Sequence, residues 1–542
     1  MLKSLIGLAL AATAAAKEVT YYWDVTYTKA NPDGLFERQV SLNDTLVVEM
    51  RNSLNELTTL HAHGLYQNGT NYYDGPDMVT QCGVPPGSNM TYRIPIQQTG
   101  TYWIHSHWSA QYIDGLRAPL IIKNPDEPHE YDEDITLTFE DWYHDQSADL
   151  LHEFLNWKNP GGAEPVPNSA LIGSVGGATK KVLDFKPGKT YRIRLINMSA
   201  QAMFHFSIDG HEMQIIEPMT VGNRTSVLVT ALNSTDNNYQ FHADMDITMF
   251  DSTPPGLDYN STGIIQYAAD APIKEGYEAD WSFFDDATLV PYKKVPAFGF
   301  DVNYNFDVWF LQFTDSFNHW HIQQQHLANN KTVYGPQTNA EVIQNMQEVQ
   351  FVINNYDAGT HPFHLHGHHF QIVGRGEAPY DPTNNPRPKT PPIMRDTVTI
   401  PSMEYVVLRF RADNPGVHLM HCHLLFHALS GLNMIFIDLE VPQQIYDHCE
   451  ARGIKTSGNA AGREGFDLTG APYGPFVYPQ GWTKKAKGAL AGCVISALLG
   501  ICTIFWYGWT SQKAYKPVMT VDPAENINLR DENERIGEVA RL

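Results

Sequence analysis

Cysteine is scarce, at five in 542 residues, and no two are spaced as Cys-x-x-Cys. A closed structural zinc site built on paired cysteines is therefore excluded. Positive charge is also short. Lys and Arg number 37 against 60 Asp and Glu, for a formal net charge of −23. That balance argues against nucleic acid as a partner. Helical periodicity is scarce and no short tandem repeat is present. Instead, short runs recur between Gly, Pro, Asn and Asp: TLVVEM, TYRIPI, APLIIK, DITLTF, TYRIRLI, TSVLVT, VQFVIN and YVVLRFRA. Several are β-branched and alternating, which predicts strands of sandwich or barrel modules. The length suits about three domains. A Pro- and acid-rich join at 124–134 and a second near 271–292 divide the chain. Three β-sandwiches are expected over 17–125, 126–285 and 286–450, with a Gly-, Pro- and polar-rich stalk over 451–486.

Each end carries an apolar stretch. Residues 1–16 place Lys3 before the apolar run Leu5–Ala12 and the small residues Ala14, Ala15 and Ala16. That is the pattern of a secretory signal peptide. Asn-x-Ser/Thr sequons follow at Asn43, Asn68, Asn89, Asn197, Asn223, Asn233, Asn260 and Asn330. Together they support a glycosylated exterior domain. Residues 487–509 contain an uncharged run long enough to span a bilayer as a helix, with Trp506, Tyr507 and Trp509 suited to its interface. A polar tail, 510–542, follows, so a GPI signal does not fit. The expected topology is single-pass type I at the plasma membrane, or alternatively the vacuolar membrane, with the bulk of the chain outside and the tail in the cytoplasm.

Four His-x-His pairs stand out: His61 and His63, His105 and His107, His364 and His366, His421 and His423. Alternate side chains of a strand share a face, so each pair presents two imidazoles to one place. A single such pair is usually a surface accident; four in strand-rich contexts reverse those odds. Imidazole suits zinc, copper, iron and nickel. Cys422 narrows the choice. It lies between His421 and His423, so on a strand its thiolate serves one metal while they serve others on the opposite face. His361 and His427 are the spare histidines that complete a His₂Cys set, the blue-copper donor set. The axial position, ten residues after the cysteine, falls on Leu432. Leucine cannot coordinate, so a three-coordinate copper of raised potential is expected, with Met434 as the second axial candidate. Cys82 and Cys449 are then left to pair as a disulfide. Cys493 and Cys502 fall in the apolar run.

In order, HAHG, YWIHSHW, HPFHLHGH and HCHLLFH resemble the four copper motifs of multicopper oxidases. The resemblance covers most of the exterior chain. It implies an all-β fold of three cupredoxin-like Greek-key β-sandwich domains and four copper ions. The type 1 ion falls to His361, Cys422 and His427. The type 2 ion falls to His61 and His364, and the type 3 pair to His63, His105, His107, His366, His421 and His423. Asp74, in YYDGPD, matches a carboxylate that assists proton delivery in such enzymes, whereas Leu425 stands where a second acid is often found. His368 and His369 match no ligand and are expected beside the ligands or on the surface. His211 is expected to be structural.

With its apolar span, the chain is most similar to fungal cell-surface ferroxidases. These oxidise Fe²⁺ to Fe³⁺, reduce O₂ to water and feed an iron permease in the membrane. Glu164 in GGAEPVP, Asp251 in MDITMFD and Asp357 in NNYDAGTHPFH match the acids of the iron site in that group. Gly488 and Gly492 form a Gly-x-x-x-Gly pair compatible with close helix packing. Laccase-type oxidation of phenols or aromatic amines is the alternative within the family. A surface protein that holds copper without turnover is the alternative outside it. One departure is the run FERQVSLNDTLVVEM, where relatives usually insert a Gly/Pro-containing strand and turn. The first domain is therefore expected to be short of a strand.

Overall fold

The computed structural model describes residues 17–27, 40–41, 43–156, 158–159, 161–173, 181–217, 224–234, 236–274, 276, 289–308, 330–334, 338–384, 391–438, 443–451, 453, 458–459, 461–470 and 484–514. The expected signal peptide and most of the expected polar tail lie outside these residues, as does much of the expected stalk. They form two compact units divided between Val477 and Tyr478.

All eight runs read as strands are strands. In the first unit the sheets come in three pairs. Strands Glu18–Val25, Thr45–Asn52 and Asn89–Pro95 form one sheet of the first pair; Val40–Ser41, Arg117–Lys123, Gly100–Ser106 and Leu60–His63 form the other. The second pair has five and four strands, drawn from Glu133–Trp142 through Asn260–Gln266. The third has five and five, drawn from Val302–Val308 through Asn433–Asp438. The three-stranded sheet makes the first pair the smallest among the described residues. Residues 28–39, next to the FERQV departure, are outside the described set.

Strand alternation builds each core. In Thr45–Asn52, Leu46, Val48 and Met50 face inward and share a cluster with Tyr92 and Ile104. Phe139, Tyr191 and Phe241 centre the second core; Phe351, Phe410 and Phe436 centre the third, which also holds Cys422. Truncating one of these fully buried rings costs about 3–5 kcal/mol.

Side chains tie the outer two sandwiches together. Asn71 donates to the Val417 carbonyl at 2.9 Å and accepts from the Val417 N–H at 3.0 Å. Gly416 sits beneath it at φ +154°, and a Cβ there would meet Asn71 at 2.7 Å. Arg224 of the second sandwich holds Asp396 of the third through Nη1 and Nη2, both at 2.8 Å, and donates from Nε to the Thr101 carbonyl of the first at 2.7 Å. The three sandwiches therefore meet beside the histidine pairs.

One expectation needs adjustment. The Asn197 sequon is buried; its amide donates to the Ala202 carbonyl and accepts from the Ser199 N–H, so it shapes a turn and offers no glycan acceptor in the folded chain. Of the two places expected for His368, it takes the one beside the ligands: it is buried against His418 and Phe410, with Nδ1 on the His366 carbonyl at 3.3 Å. His211 hydrogen bonds to the Asp209 carbonyl and Tyr267 hydroxyl, a structural role. Cys82 is buried, while the Cys449 side chain lies outside the described residues, and with it the expected disulfide.

The second unit contains the helix Lys484–Ala514. Its apolar stretch, Lys487–Thr510, has 24 residues. That is about 36 Å of helix, more than the about 30 Å hydrocarbon core of a bilayer. It fits a membrane anchor.

Candidate metal centres

The mononuclear site assembles from three neighbouring pieces of the third sandwich. His361 opens the strand His361–Leu365, Cys422 closes the strand Gly416–Cys422, and His427 lies in the short helix Leu425–Leu429. Phe363 is paired with Cys422 across the sheet, which sets His361 beside the thiol. The Cys422 sulfur lies 3.6 Å from His361 Nδ1 and 3.7 Å from His427 Nδ1, and the two nitrogens are 3.2 Å apart. All three donors are buried.

The outer nitrogens of this site meet carboxylates. His361 Nε2 is 2.9 Å from Asp357 Oδ2, and His427 Nε2 is 2.5 Å from Glu164 Oε1. Burial lowers an imidazole's affinity for a proton. At His427 the hydrogen bonds and charges of Cys422 and Glu164 outweigh it and push the pKa up to about 10. At His361, burial is likewise outweighed, by Asp357 and Cys422. Burial would raise the Cys422 thiol; hydrogen bonds from the two histidines outweigh it and bring the pKa down to about 7. A thiolate is thus available near neutral pH, as metal ligation requires. Leu432 accepts from the Cys422 N–H at 2.9 Å and so stands directly across the ladder from it. Met434 pairs with Met420, two register positions further along the ladder. Both pack on the core that holds Cys422. Asp251 is exposed, and among the described contacts it reaches neither imidazole.

The eight remaining histidines converge between the first and third sandwiches. His61 lies across the ladder from His105, and His364 from His421. The two pairs face one another. His63 and His364 stack at 3.8 Å between ring centroids, His61 and His366 approach to 4.0 Å, and His107 and His421 to 5.5 Å. Five rings are aimed from behind by their outer nitrogens. His61 Nδ1 donates to the Asp74 carbonyl, His105 Nδ1 to the Ser106 carbonyl and His364 Nδ1 to the Asp396 carbonyl. His421 Nδ1 donates to the Cys422 carbonyl and His366 Nδ1 to Asp74 Oδ2, at 2.8 Å. Such anchors fix tautomer and ring orientation at metal sites. His63 is turned the other way, with Nε2 on Thr397 Oγ1 at 3.3 Å.

The nitrogens left facing inward have no protein partner: His61 Nε2, His63 Nδ1, His105 Nε2, His364 Nε2 and both nitrogens of His423. Burial lowers the proton affinity of His105, His364 and His423, and brings His63 down to about 3 and His421 to about 4. Orphaned, neutral, buried imidazoles are costly except as metal ligands. Groups of three donors within 4.8 Å of one another form at His61–His63–His105, His61–His364–His366 and His107–His366–His421. Imidazole with a thiolate alongside fits copper.

Sequence reasoning missed Asp396. It is buried, belongs to a three-donor group with His63 and His364, and carries the Arg224 pair. A lone Asp in MRDTV gives no signal of this. Asp74 was legible, and it sits 1% exposed in a tight turn. Gly75, at φ +105°, lets the turn pass the Leu60 carbonyl, which a Cβ would meet at 2.3 Å.

Three β-sandwiches with a thiolate–imidazole site joined through one peptide to an eight-imidazole cluster define a copper-dependent oxidase. Residues 37–127, 133–218 and 307–441 each match multicopper oxidase family models, and the chain belongs to the multicopper oxidase family. It is 39% identical to the iron multicopper oxidase fer1 of Mycosarcoma maydis, over 94% of this chain and 95% of that one. It is 38% identical to the iron transport multicopper oxidase fio1 of Schizosaccharomyces pombe, over 97% and 94%. Among solved structures it resembles Fet3p, a multicopper oxidase that functions in iron import. The TM-score is 0.75 at 30% identity, covering 82% of this chain and 97% of that one.

Proposed function

We propose that this protein is a membrane-anchored ferroxidase. It oxidises Fe²⁺ to Fe³⁺, reduces O₂ to water and passes Fe³⁺ to an iron permease at the plasma membrane. The type 1 copper would be held by His361, Cys422 and His427, the type 2 copper by His61 and His364, and the type 3 pair by His63, His105, His107, His366, His421 and His423. Bound copper supplies one-electron storage at the first site and delivery of electrons to O₂ at the others.

The chain's own residues do the rest. Glu164 and Asp357 bind Fe²⁺ at the surface edge of the two imidazoles. Their oxygens favour the higher charge of Fe³⁺ and so make the electron easier to remove. Asp251 completes this acid set from the second sandwich. The backbone from His421 to His423 is the covalent link between the two centres. Asp74 orients His366 and His61. Leu432, lacking a donor atom, would add no ligand to the His361, Cys422 and His427 set. The bulk of the chain, with domain limits at 17–125, 126–285 and 286–450, lies outside the membrane.

The observation that carries this reading is the pair of carboxylates on the outer nitrogens of His361 and His427, at 2.9 and 2.5 Å. Phenol oxidation does not require them. The test is O₂ uptake by copper-loaded protein fed Fe²⁺, with one O₂ expected per four Fe²⁺. Uptake with phenols but not with Fe²⁺ would replace the ferroxidase reading with the laccase one.

A further inference from the structure

Beside the histidine cluster lies a cavity of about 520 Å³. His105, His107, His421 and His423 line it, and much of the rest of its lining is apolar, Leu425 included. Among the described lining residues Asp77 is the one carboxylate. O₂ reduction consumes protons as well as electrons. Each turnover takes four electrons from four Fe²⁺ and four protons from solvent, and leaves four Fe³⁺ and two waters. Those protons must reach the cluster through groups able to carry them. Leu425 cannot.

From the cavity and its lining we infer that Asp77 is a proton-supplying residue of this oxidase, passing protons across the cavity to the oxygen being reduced and recovering them from solvent. The inference rests on the oxidase reading above, though not on iron as the substrate.

The local structure favours the role. Asp77 follows the Asp74–Gly75–Pro76 turn and is half-buried. Its Oδ1 accepts from the Gly83 N–H at 2.6 Å, which holds the side chain in place. Burial outweighs that hydrogen bond and the one from the Met78 N–H, and pushes its pKa up to about 6. No ionised neighbour enters this balance. The other titratable groups lining the cavity are the four histidines and Tyr112. An acid of that pKa both gives and regains a proton near neutral pH, as a relay requires. A second polar residue, Asn433, lines the cavity. Asn433 stands across the ladder from His421, and its buried Oδ1 has no protein partner. It can accept from a water bridging the cavity.

Asp77→Asn keeps the acceptor for Gly83 and removes the proton. In the full copper-loaded chain, copper content and blue absorption should match the parent. The turnover rate kcat should fall at least about tenfold with KM for Fe²⁺ unchanged, and the solvent isotope effect should rise. An infrared carboxyl band titrating near pH 6 should vanish from the variant, with or without copper. Asp77→Glu, or Leu425→Glu placed in the Asn variant, should restore turnover. An Asn variant with parental kcat, isotope effect and infrared titration would overturn the inference. If the parent turns over a phenol but not Fe²⁺, the iron reading has failed. The same comparison run on the phenol still judges Asp77.

Discussion

Glu164→Gln separates iron oxidation from the rest of the enzyme. The amide oxygen can still accept from His427, so the imidazole keeps its orientation while the carboxylate charge is lost. One carboxylate about 4 Å from the metal favours the extra charge of Fe³⁺ by about 1 kcal/mol in water and about 4 kcal/mol at an effective dielectric constant of 20. The Glu164 side chain is 12% exposed and that of His427 is 8% exposed, which places the site between these limits. An intermediate value of about 2 kcal/mol corresponds to about a 30-fold loss in kcat/KM. The assay is oxygen uptake by copper-loaded parent and variant, with Fe²⁺ and with a phenol in parallel, after matching copper content and blue absorption. Iron turnover should fall by that factor while phenol turnover stays within about twofold. Equal losses on both substrates, or no loss on iron, would refute the assignment of Glu164 to iron.

Three further outcomes follow from the same geometry. Arg224→Ala leaves the buried Asp396 carboxylate without its bidentate partner, which should cost about 3–5 kcal/mol in urea unfolding. Little change would mean that the junction of the three sandwiches does not depend on this pair. Leu432→Met offers a thioether directly across from Cys422 and should lower the potential of the bound copper in a redox titration; an unchanged potential would mean that the side chain at 432 does not reach the copper. Copper-free protein should lose stability in acid. His63 and His421 stay neutral in the fold down to about 3 and about 4, whereas in the unfolded chain they protonate near the free-imidazole value of about 6.5. The unfolded state therefore takes up more protons below pH 6.5, so each histidine costs about 1.4 kcal/mol per pH unit as pH falls from there toward its folded value. Denaturant midpoints of the copper-free chain between pH 7 and 5 measure the slope, and a flat profile would contradict the buried, neutral state.

The strands and the histidine pairs were legible because both follow period-two alternation. The strand Leu60–His63 carries His61 and His63 together. At His107, His366 and His423 the second histidine lies just past the strand end. Cys422 was legible as a link because it interrupts one such pair. What brings the pairs together was not legible. Asn71 on Val417 and Arg224 on Asp396 are contacts across 346 and 172 residues, and no local pattern encodes them. Glu164 lies in an irregular segment 263 residues from the imidazole it meets, so only the resemblance to known oxidases marked it. Asp77 reads locally as a turn residue, and its significance comes from a cavity that exists only in the fold.

Anaerobic titration of the copper-loaded protein with Fe²⁺ bears most directly on the link from the surface carboxylates through Cys422 to the histidine cluster. The account predicts that the blue absorption bleaches, that four equivalents of Fe²⁺ are consumed, and that admitted air restores the colour. Bleaching complete after one equivalent would mean that the two centres do not exchange electrons, and the account would fall.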